Sequence, residues 1–597
     1  MTTLLDVMAV RADGDPAAAV VDVGEPAAGV AELACDVLVA GGGTGGIAAA
    51  LAAARAAPPP GRRGWTVCLL EETDWIGGQL TAQGVSALDE HEHIERFGGT
   101  RSYYALREGI RGHYRRLSPA LAREAHPNPG NCWVTRLAFE PRVALEALHA
   151  MARPLVESGR LRIMTRTKAA SAEVDGDRVR SVLAVDLDGR LWTRILPRVV
   201  IDATELGDLL PLAGVEHVVG AESRAETGEP HAQPVERKAH CVQSLTYTFA
   251  LENLGAGHAR PIPKPARYEH YRDVQPYALR IHVHGGEIYG EETGWLEYQV
   301  LERAPGTKGG LWTYRRLIDR DYFAGRYPSD ISMINWPGTD YRDESILDRS
   351  PLEQARALQD AKRVSLGFLY WLETAAPRPG AAPGFPELTP RPDVFATADA
   401  LGKHPYIREC RRIRALTTIV EQDVSAEHQR AARARPFDDS AGVGWYPIDI
   451  HNSGPDDVGV SCRTRPFQIP LGALIPARVR NLLAGAKNLG TTHITNGCYR
   501  LHPVEWNVGE AAGVLAAFAL EAGRDPAEIH ADPRLRREVQ RRLVDGGVPL
   551  FWLTGVGVEH PAFAALQMAV VTGEIAGAPE SLEAAALPPD VRRRFGL

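Results

Sequence analysis

Seven cysteines are scattered over 597 residues, at 35, 68, 132, 241, 410, 462 and 498, and no two of them form a CxxC. That spacing excludes a zinc knuckle, a dithiol redox motif and the disulfide framework of a small secreted domain. No apolar run reaches membrane-spanning length; residues 37–54 come nearest, but glycines interrupt them and Arg55 follows. The opening MTTLLDVMAVRADGDP has no basic segment ahead of an apolar core, so it does not read as a signal peptide. Nor does any stretch gather Lys and Arg without interleaved acids, and the net charge is −8 with a pI near 6.2. Nucleic acid and membrane surfaces are therefore poor partners for this chain. It reads as soluble and cytoplasmic, with no internal repeat.

The length exceeds what one compact core accommodates, so two domains are expected. Residues 1–32 lack periodicity and read as an N-terminal extension, ordered only in part. At 35–40 a short apolar run, CDVLVA, breaks into glycines. Residues 47–57 are alanine-rich and helical by propensity, and WTVCLL at 65–70 makes a second strand. Strand, glycine turn, helix and strand form a βαβ unit on a parallel sheet. Between 160 and 202 apolar runs alternate with DGD and DG turns, the pattern of an antiparallel meander, which ends in the buried strand VVIDAT. The middle has more aromatics, Pro-rich loops and an amphipathic helix near 352–372, and reads as a second domain. VRNLLAGAKN at 479–488 is again a buried strand, and 506–522 is again an Ala/Gly helix. The expected fold class is α/β: a Rossmann-like domain, parallel sheet plus β-meander, with an inserted α+β substrate domain. Its divisions are the extension at 1–32, the first part of the nucleotide domain at 33–235, the substrate or cap domain at 236–470, the closing part at 471–525 and a C-terminal helical segment at 526–597.

Gly41-Gly42-Gly43-Thr44-Gly45-Gly46 satisfies GxGxxG between that first strand and helix. Gly41 allows the tight turn, Gly43 lets backbone approach a pyrophosphate, and Gly46 lets the helix pack close to the strand. The helix start offers unpaired N–H groups and partial positive charge to phosphates. Glu71, ending the second strand, is placed to accept hydrogen bonds from the adenosine ribose. It follows Gly41 by 30 residues, later than the usual ~20, because of a Pro-rich insertion at 58–64. Alone, GxGxxG also occurs as a glycine turn of other α/β proteins; the surrounding strand, helix, strand and acid favour the dinucleotide. They do not choose between NAD and FAD.

That choice comes from resemblance. Glu71 followed by Gly77-Gly78 in LLEETDWIGGQLT resembles the second signature of the glutathione-reductase-like FAD superfamily, and VVIDATELGD (199–208) resembles its later ATG-type motif. NLLAGAKN, Arg500 and NVGEAAGVLAA (507–517) are similar to its closing motif, where a helix N-terminus meets the flavin ring and ribityl chain. More narrowly, GGQLTAQGV, ISMINWPGTDY (331–341), PYIRECRRI (405–413), IDIH (448–451) and PFQIPLGALIP (466–476) resemble the bacterial FAD-dependent oxidoreductase family, some of whose members carry the label "xanthan lyase". The likeness spans most of 35–520. It implies FAD contacts at Gly77, Gly78 and Gln79, at Ala169 in the meander, at Ala203 and Thr204, and at Asn488, Gly509 and Ala511. TAQG resembles the AAQG of succinate dehydrogenase and fumarate reductase flavoproteins, where a histidine just upstream carries the flavin covalently. Gly78 stands at that position here, which implies non-covalent FAD.

A second strand with GxGxxG is missing, and GAKNLG at 485–490 lacks the middle glycine. The reductant is then an organic substrate bound over the flavin, with O2 or another acceptor reoxidising it. Such oxidation joins hydride transfer to a base for the adjacent O–H or N–H. Histidine suits the role because its unperturbed pKa is near ~6.5. The candidates are His451, His493 and His502; the plainer alternative for each is a core histidine satisfied by backbone. In PYIRECRRIR, Arg408 or Arg412 is a candidate to fork a substrate carboxylate or the flavin edge, against a solvated helix face. Asn335, Trp336, Asp340 and Tyr341 are candidates to line the pocket, or equally to pack the domain. The HEH run at 91–93 has no convincing third ligand, so no metal is expected. Three functions stay open: an FAD-dependent dehydrogenase or oxidase of a small alcohol or amine, an NAD(P)H-using flavin monooxygenase, and a non-catalytic binding protein on the same fold. A lyase is a further possibility. Oligomeric state is unassigned.

Overall fold

The computed structural model describes residues 2–597 except 28, 59–60, 62–63, 287–289, 455–458 and 576–581. Four of the seven residues in the insertion at 58–64 thus lie outside the described residues. Residues 1–32, expected to be only partly ordered, are held down. Strands β1 (Thr3–Leu5) and β2 (Val20–Asp22) pair antiparallel, and Asp6 meets Arg166 at 2.6 Å. Leu5, Val7, Val10 and Ala19 are buried, because a hairpin with short 3-10 turns can sink apolar side chains without any helical or strand period.

The main sheet starts with β3 (Ala31–Ala40), whose last four residues are fully buried. Helix α1 (Thr44–Arg55) follows the glycine loop, and β4 (Val67–Glu71) returns parallel to β3. A long connection carrying α2 (Arg101–Leu117) and α3 (Pro141–Glu157) leads to β5 (Leu161–Thr165), parallel to β4. Then come β6 (Thr167–Asp175), β7 (Arg178–Asp186) and β8 (Leu191–Asp202), the expected antiparallel meander. Strand β8 is long enough to serve two partners: Leu191–Ile195 pairs with β7, while Val200–Asp202 lies parallel to a late strand. From Thr193 to Asp202, β8 also runs parallel to β3. The late strand's neighbours are thereby brought to the glycine loop.

A second, antiparallel sheet has the order β10-β11-β9-β12, from β9 (Phe249–Asn253), β10 (Arg316–Ile318), β11 (Ile331–Ile334) and β12 (Leu388–Pro390). Helix α4 (Pro351–Thr374) begins with a capping box between Ser350 and Glu353. Its apolar face, with Ala361, Phe368 and Leu372, joins this sheet and the N-terminal hairpin in one core cluster. The return stretch, residues 440–475, is not part of that core: Val443, Ile448, Phe467 and Leu474 pack with the Rossmann-like domain. There β13 (Ile448–Ile450) and β14 (Val460–Cys462) form a hairpin, and β15 (Leu482–Ala484) is the late partner of β8.

Helices α5 (His493–Tyr499) and α6 (His502–Ala522) complete the domain. Near its start α6 crosses α1 at backbone contact: a methyl on Gly509 would fall 1.9 Å from the Gly45 carbonyl oxygen. Gly509 is thus explained by packing, as Gly46 is by the Gly41 carbonyl 1.9 Å from its own missing methyl. The C-terminal helices α7 (Pro533–Asp545) and α8 (Phe563–Val571) add Val539, Leu543 and Phe563 to the same core. No described helix is long and apolar enough to cross a membrane.

Candidate active site

The glycine loop takes the shape its chemistry requires. Gly41 sits at φ +93°, and a side chain there would meet the Ala203 carbonyl at 2.2 Å. Gly43, at an ordinary φ of −61°, is the N-cap of α1. A methyl on it meets only the Glu205 carboxylate, 2.5 Å away. Glu71 accepts from the Gly42 amide at 2.9 Å and from the Thr73 amide and hydroxyl. Burial pushes its carboxyl up to about 7. The Gly77 amide donates to the Gly42 carbonyl at 2.7 Å, and the Thr44 hydroxyl to the Gly77 carbonyl at 2.9 Å, so the segment through Gly78 closes over the loop. Ala203 and Thr204 lie just past the end of β8, where the Thr204 hydroxyl donates to Asp202. Asn488 ties the closing loop to β8 through the Asp202 carbonyl at 2.9 Å. Ala169 lies in β6 opposite Ala184, and Ala511 is buried on α6.

Around this loop gathers a charged trio. Lys487 pairs with Glu205 and lies 3.6 Å from Glu505. The Gln79 amide donates to Glu505 at 2.5 Å. Burial raises the Glu505 carboxyl to about 7, with Lys487 and the Gly45 amide opposing the rise.

A second polar cluster lies where the return stretch meets the antiparallel sheet. His451, just past β13, has its Nδ1 2.7 Å from Asp340 and its Nε2 3.4 Å from Asp449. Arg408 approaches Asp340 at 3.1 Å and donates to the Ser244 carbonyl at 2.8 Å. Arg500 donates to the Tyr406 hydroxyl at 2.6 Å and to the Asp449 carbonyl at 2.9 Å. Tyr406 spaces the two guanidiniums, whose centres lie 4.8 and 5.9 Å from its ring. Burial disfavours ionisation of both aspartates, yet Arg408 and His451 at Asp340, and His451 and Arg500 at Asp449, hold both carboxyls below the usual range. An ionised Asp340 can only accept, so Nδ1 carries a hydrogen towards it, while Nε2 faces Asp449. The His451 side chain is 22% exposed against 2% for Asp340. Arg408 and Tyr341 line a narrow cleft with Ser244 and Glu409.

The remaining candidates are placed differently. Arg412 is wholly buried between Glu409 and Glu222, and His493 donates to Glu409 at 2.8 Å. Burial opposes the His493 charge, but Glu409 raises its pKa. His502 has both nitrogens committed: Nδ1 accepts from the Asp89 amide at 3.0 Å, and Nε2 donates to the Val85 carbonyl at 2.9 Å. Burial lowers its pKa to about 4. The stability this neutral ring contributes is full above the ordinary histidine pKa of ~6.5 and is lost as pH falls through about 4. His502→Gln is therefore expected to destabilise the protein more at pH 7 than at pH 5, as read from urea unfolding at both. Trp336, a candidate either for the pocket or for domain packing, stands among Tyr298 and Tyr314 with its N–H spent on the Ala278 carbonyl. Asn335 reaches Arg408 at 3.4 Å.

In the HEH run, His91 packs edge-on to Trp552 and His93 stacks on Trp445. Elsewhere His231, Glu421 and Cys462 come together. The sulfur is 3.7 and 3.9 Å from the two ring nitrogens. It therefore sits beside the ring rather than along either lone pair, and Nδ1 already pairs with Glu421 at 2.7 Å.

Sequence reasoning missed Glu205, Lys487, Glu505 and Asp449. Only a lysine three residues beyond a buried strand and an acid inside an otherwise apolar helix start hinted at them.

Among solved structures, this chain is similar to the L-proline dehydrogenase of P. horikoshii, at 17% identity over 32% of this chain and 25% of that one, with a TM-score of 0.17. It is similar to the adenylylsulfate reductase of Archaeoglobus fulgidus, at 20% over 29% and 31%, TM-score 0.20. A third is the glycerol-3-phosphate dehydrogenase of Bacillus halodurans complexed with FAD, at 16% over 37% and 39%, TM-score 0.22. The matches span from a quarter to two fifths of those chains, and scores this low say nothing about function. No curated protein matches the sequence. The family described as FAD dependent oxidoreductase matches residues 36–543. With most of its length matched and the glycine loop intact, this chain belongs to the FAD dependent oxidoreductase family, and FAD is its cofactor.

Proposed function

We propose that this oxidoreductase removes a hydride from a small alcohol or amine, with His451 as the base and Arg408 and Arg500 positioning the substrate. The observation that carries this reading is the Asp340–His451 pair. A buried carboxylate, itself anchored by Arg408 and Thr246, orients the ring through Nδ1 and leaves Nε2 beside the partly exposed Asp449, which can stabilise the ring once it is protonated. That is the arrangement a proton acceptor needs.

The residues fit FAD. A methyl on Gly43 would meet nothing but the tip of one movable side chain, and the Gly45 amide at the opening of α1 already faces the Glu505 carboxyl. The diphosphate would lie on Gly43, Thr44 and Gly45, and the adenosine ribose on Glu71. The flavin end would point towards the start of α6, without a covalent bond, since Gly78 has no side chain to form one. FAD bound there supplies the hydride acceptor. The chain's own contribution is to orient the substrate, exclude water and receive its O–H or N–H proton at His451 Nε2, so that the C–H hydrogen leaves as hydride and a carbonyl or imine results.

The test is anaerobic. Purified protein mixed with pools of small alcohols and amines should bleach at 450 nm with one class of them and recover its colour in air. Bleaching by NADPH alone, with no response to any donor, would replace this reading with a monooxygenase.

A further inference from the structure

Lys487 projects from the loop after β15 into a buried space between two acids, Glu205 on the turn after β8 and Glu505 in the first turn of α6. Both acids face the start of α1. The Glu205 carboxylate is the sole neighbour of the space over Gly43 and also borders the space over Gly78. Glu505 is drawn to the Gly45 amide. These amides are where a dinucleotide's diphosphate binds on this fold.

With all three groups ionised, the spot holds two negative charges against one positive. A diphosphate brings two more, and in a weakly screened interior they cannot coexist with both carboxylates ionised and in place; Glu505, whose carboxyl burial already raises, can take up a proton where it stands. Glu505 is fixed, being 1% exposed and held by Gln79. Glu205 is the freer, 11% exposed on a turn. We propose that Lys487 is a diphosphate-binding residue of this protein, and that Glu205 is the anion that keeps its place and yields it when FAD enters. This rests on FAD lying on the α1 loop. Lys487 stays buried throughout, exchanging a carboxylate for a phosphate, while Glu205 turns out towards solvent. Removing the Glu205 charge then strengthens FAD binding, although Glu205 belongs to the site.

The experiment uses full-length protein stripped of flavin and titrated with FAD, read by quenching of FAD fluorescence, with ADP and riboflavin as competitors. Glu205→Gln should bind FAD and ADP about tenfold more tightly, roughly one decade in Kd, and riboflavin no differently. Lys487→Met should bind FAD about tenfold more weakly, and in that background Glu205→Gln should gain nothing. Circular dichroism confirms that each variant is folded; Lys487→Arg, which keeps the charge, replaces Lys487→Met should that variant unfold, and should retain wild-type affinity. Unchanged or weaker FAD binding by Glu205→Gln overturns the proposal, because Glu205 would then be a neutral bystander or a direct FAD ligand. Wild-type protein that fails to take up FAD at all overturns instead the placement of FAD on this loop.

Discussion

Gly43→Glu is expected to yield folded protein that purifies without its yellow colour. The backbone permits the change: φ at Gly43 is −61°, common to all residues, and a Cβ there meets only the tip of Glu205. Gly41 is the contrast, since its φ of +93° and the Ala203 carbonyl 2.2 Å away would break the turn itself. The loss at Gly43 is electrostatic and steric. A carboxylate about 4 Å from a phosphate, at an effective dielectric constant near 20, costs roughly 4 kcal/mol, which is about a thousandfold in Kd. Gly43→Ala adds bulk without charge and should lose much less. Flavin content measured after gel filtration, beside a thermal melt, decides the matter. Stoichiometric FAD in Gly43→Glu would mean that the diphosphate lies elsewhere.

What the sequence disclosed depended on how far apart the cooperating residues lie. The glycine loop and Glu71 are joined by one βαβ unit, whose signals are local: strand, turn glycines, alanine helix, strand. The meander was equally plain, because each of its turns is a few residues long. The polar cluster behaves otherwise. Asp340, Arg408, His451 and Arg500 come from four separate stretches, and only the tertiary fold brings them together. Residue type alone could nominate His451, His493 and His502 but not rank them. Ranking needed their partners, which are a carboxylate anchored on one side, an ion network, and two backbone groups. Lys487 was invisible for the opposite reason: a lone lysine after a strand is ordinary until its two acids are seen. The N-terminal extension misled because its apolar residues serve a hairpin and short turns, which leave no period to detect.

His451→Ala should keep its FAD and lose flavin reduction by substrate about 10²- to 10⁴-fold, the usual worth of a positioned base. FAD retention follows from position, since among the described residues no hydrogen bond or ion pair joins His451 to the glycine loop. It contacts Asp340, Asp449 and Gln243. Asp340→Asn tests the same step from behind. The amide can offer either an acceptor or a donor to Nδ1, so the ring loses its fixed tautomer while its bulk remains. That variant should slow reduction and alter its pH profile, with FAD content untouched. Free imidazole should partly restore His451→Ala but not Asp340→Asn, whose ring is still in place. His493→Ala is the discriminating control. His493 answers to Glu409 and Arg412, inside a fully buried ion network; its loss should cost stability more than rate. Were His493→Ala to abolish reduction while His451→Ala left it intact, the base would be the deeper histidine and the Asp340 pair a structural clamp.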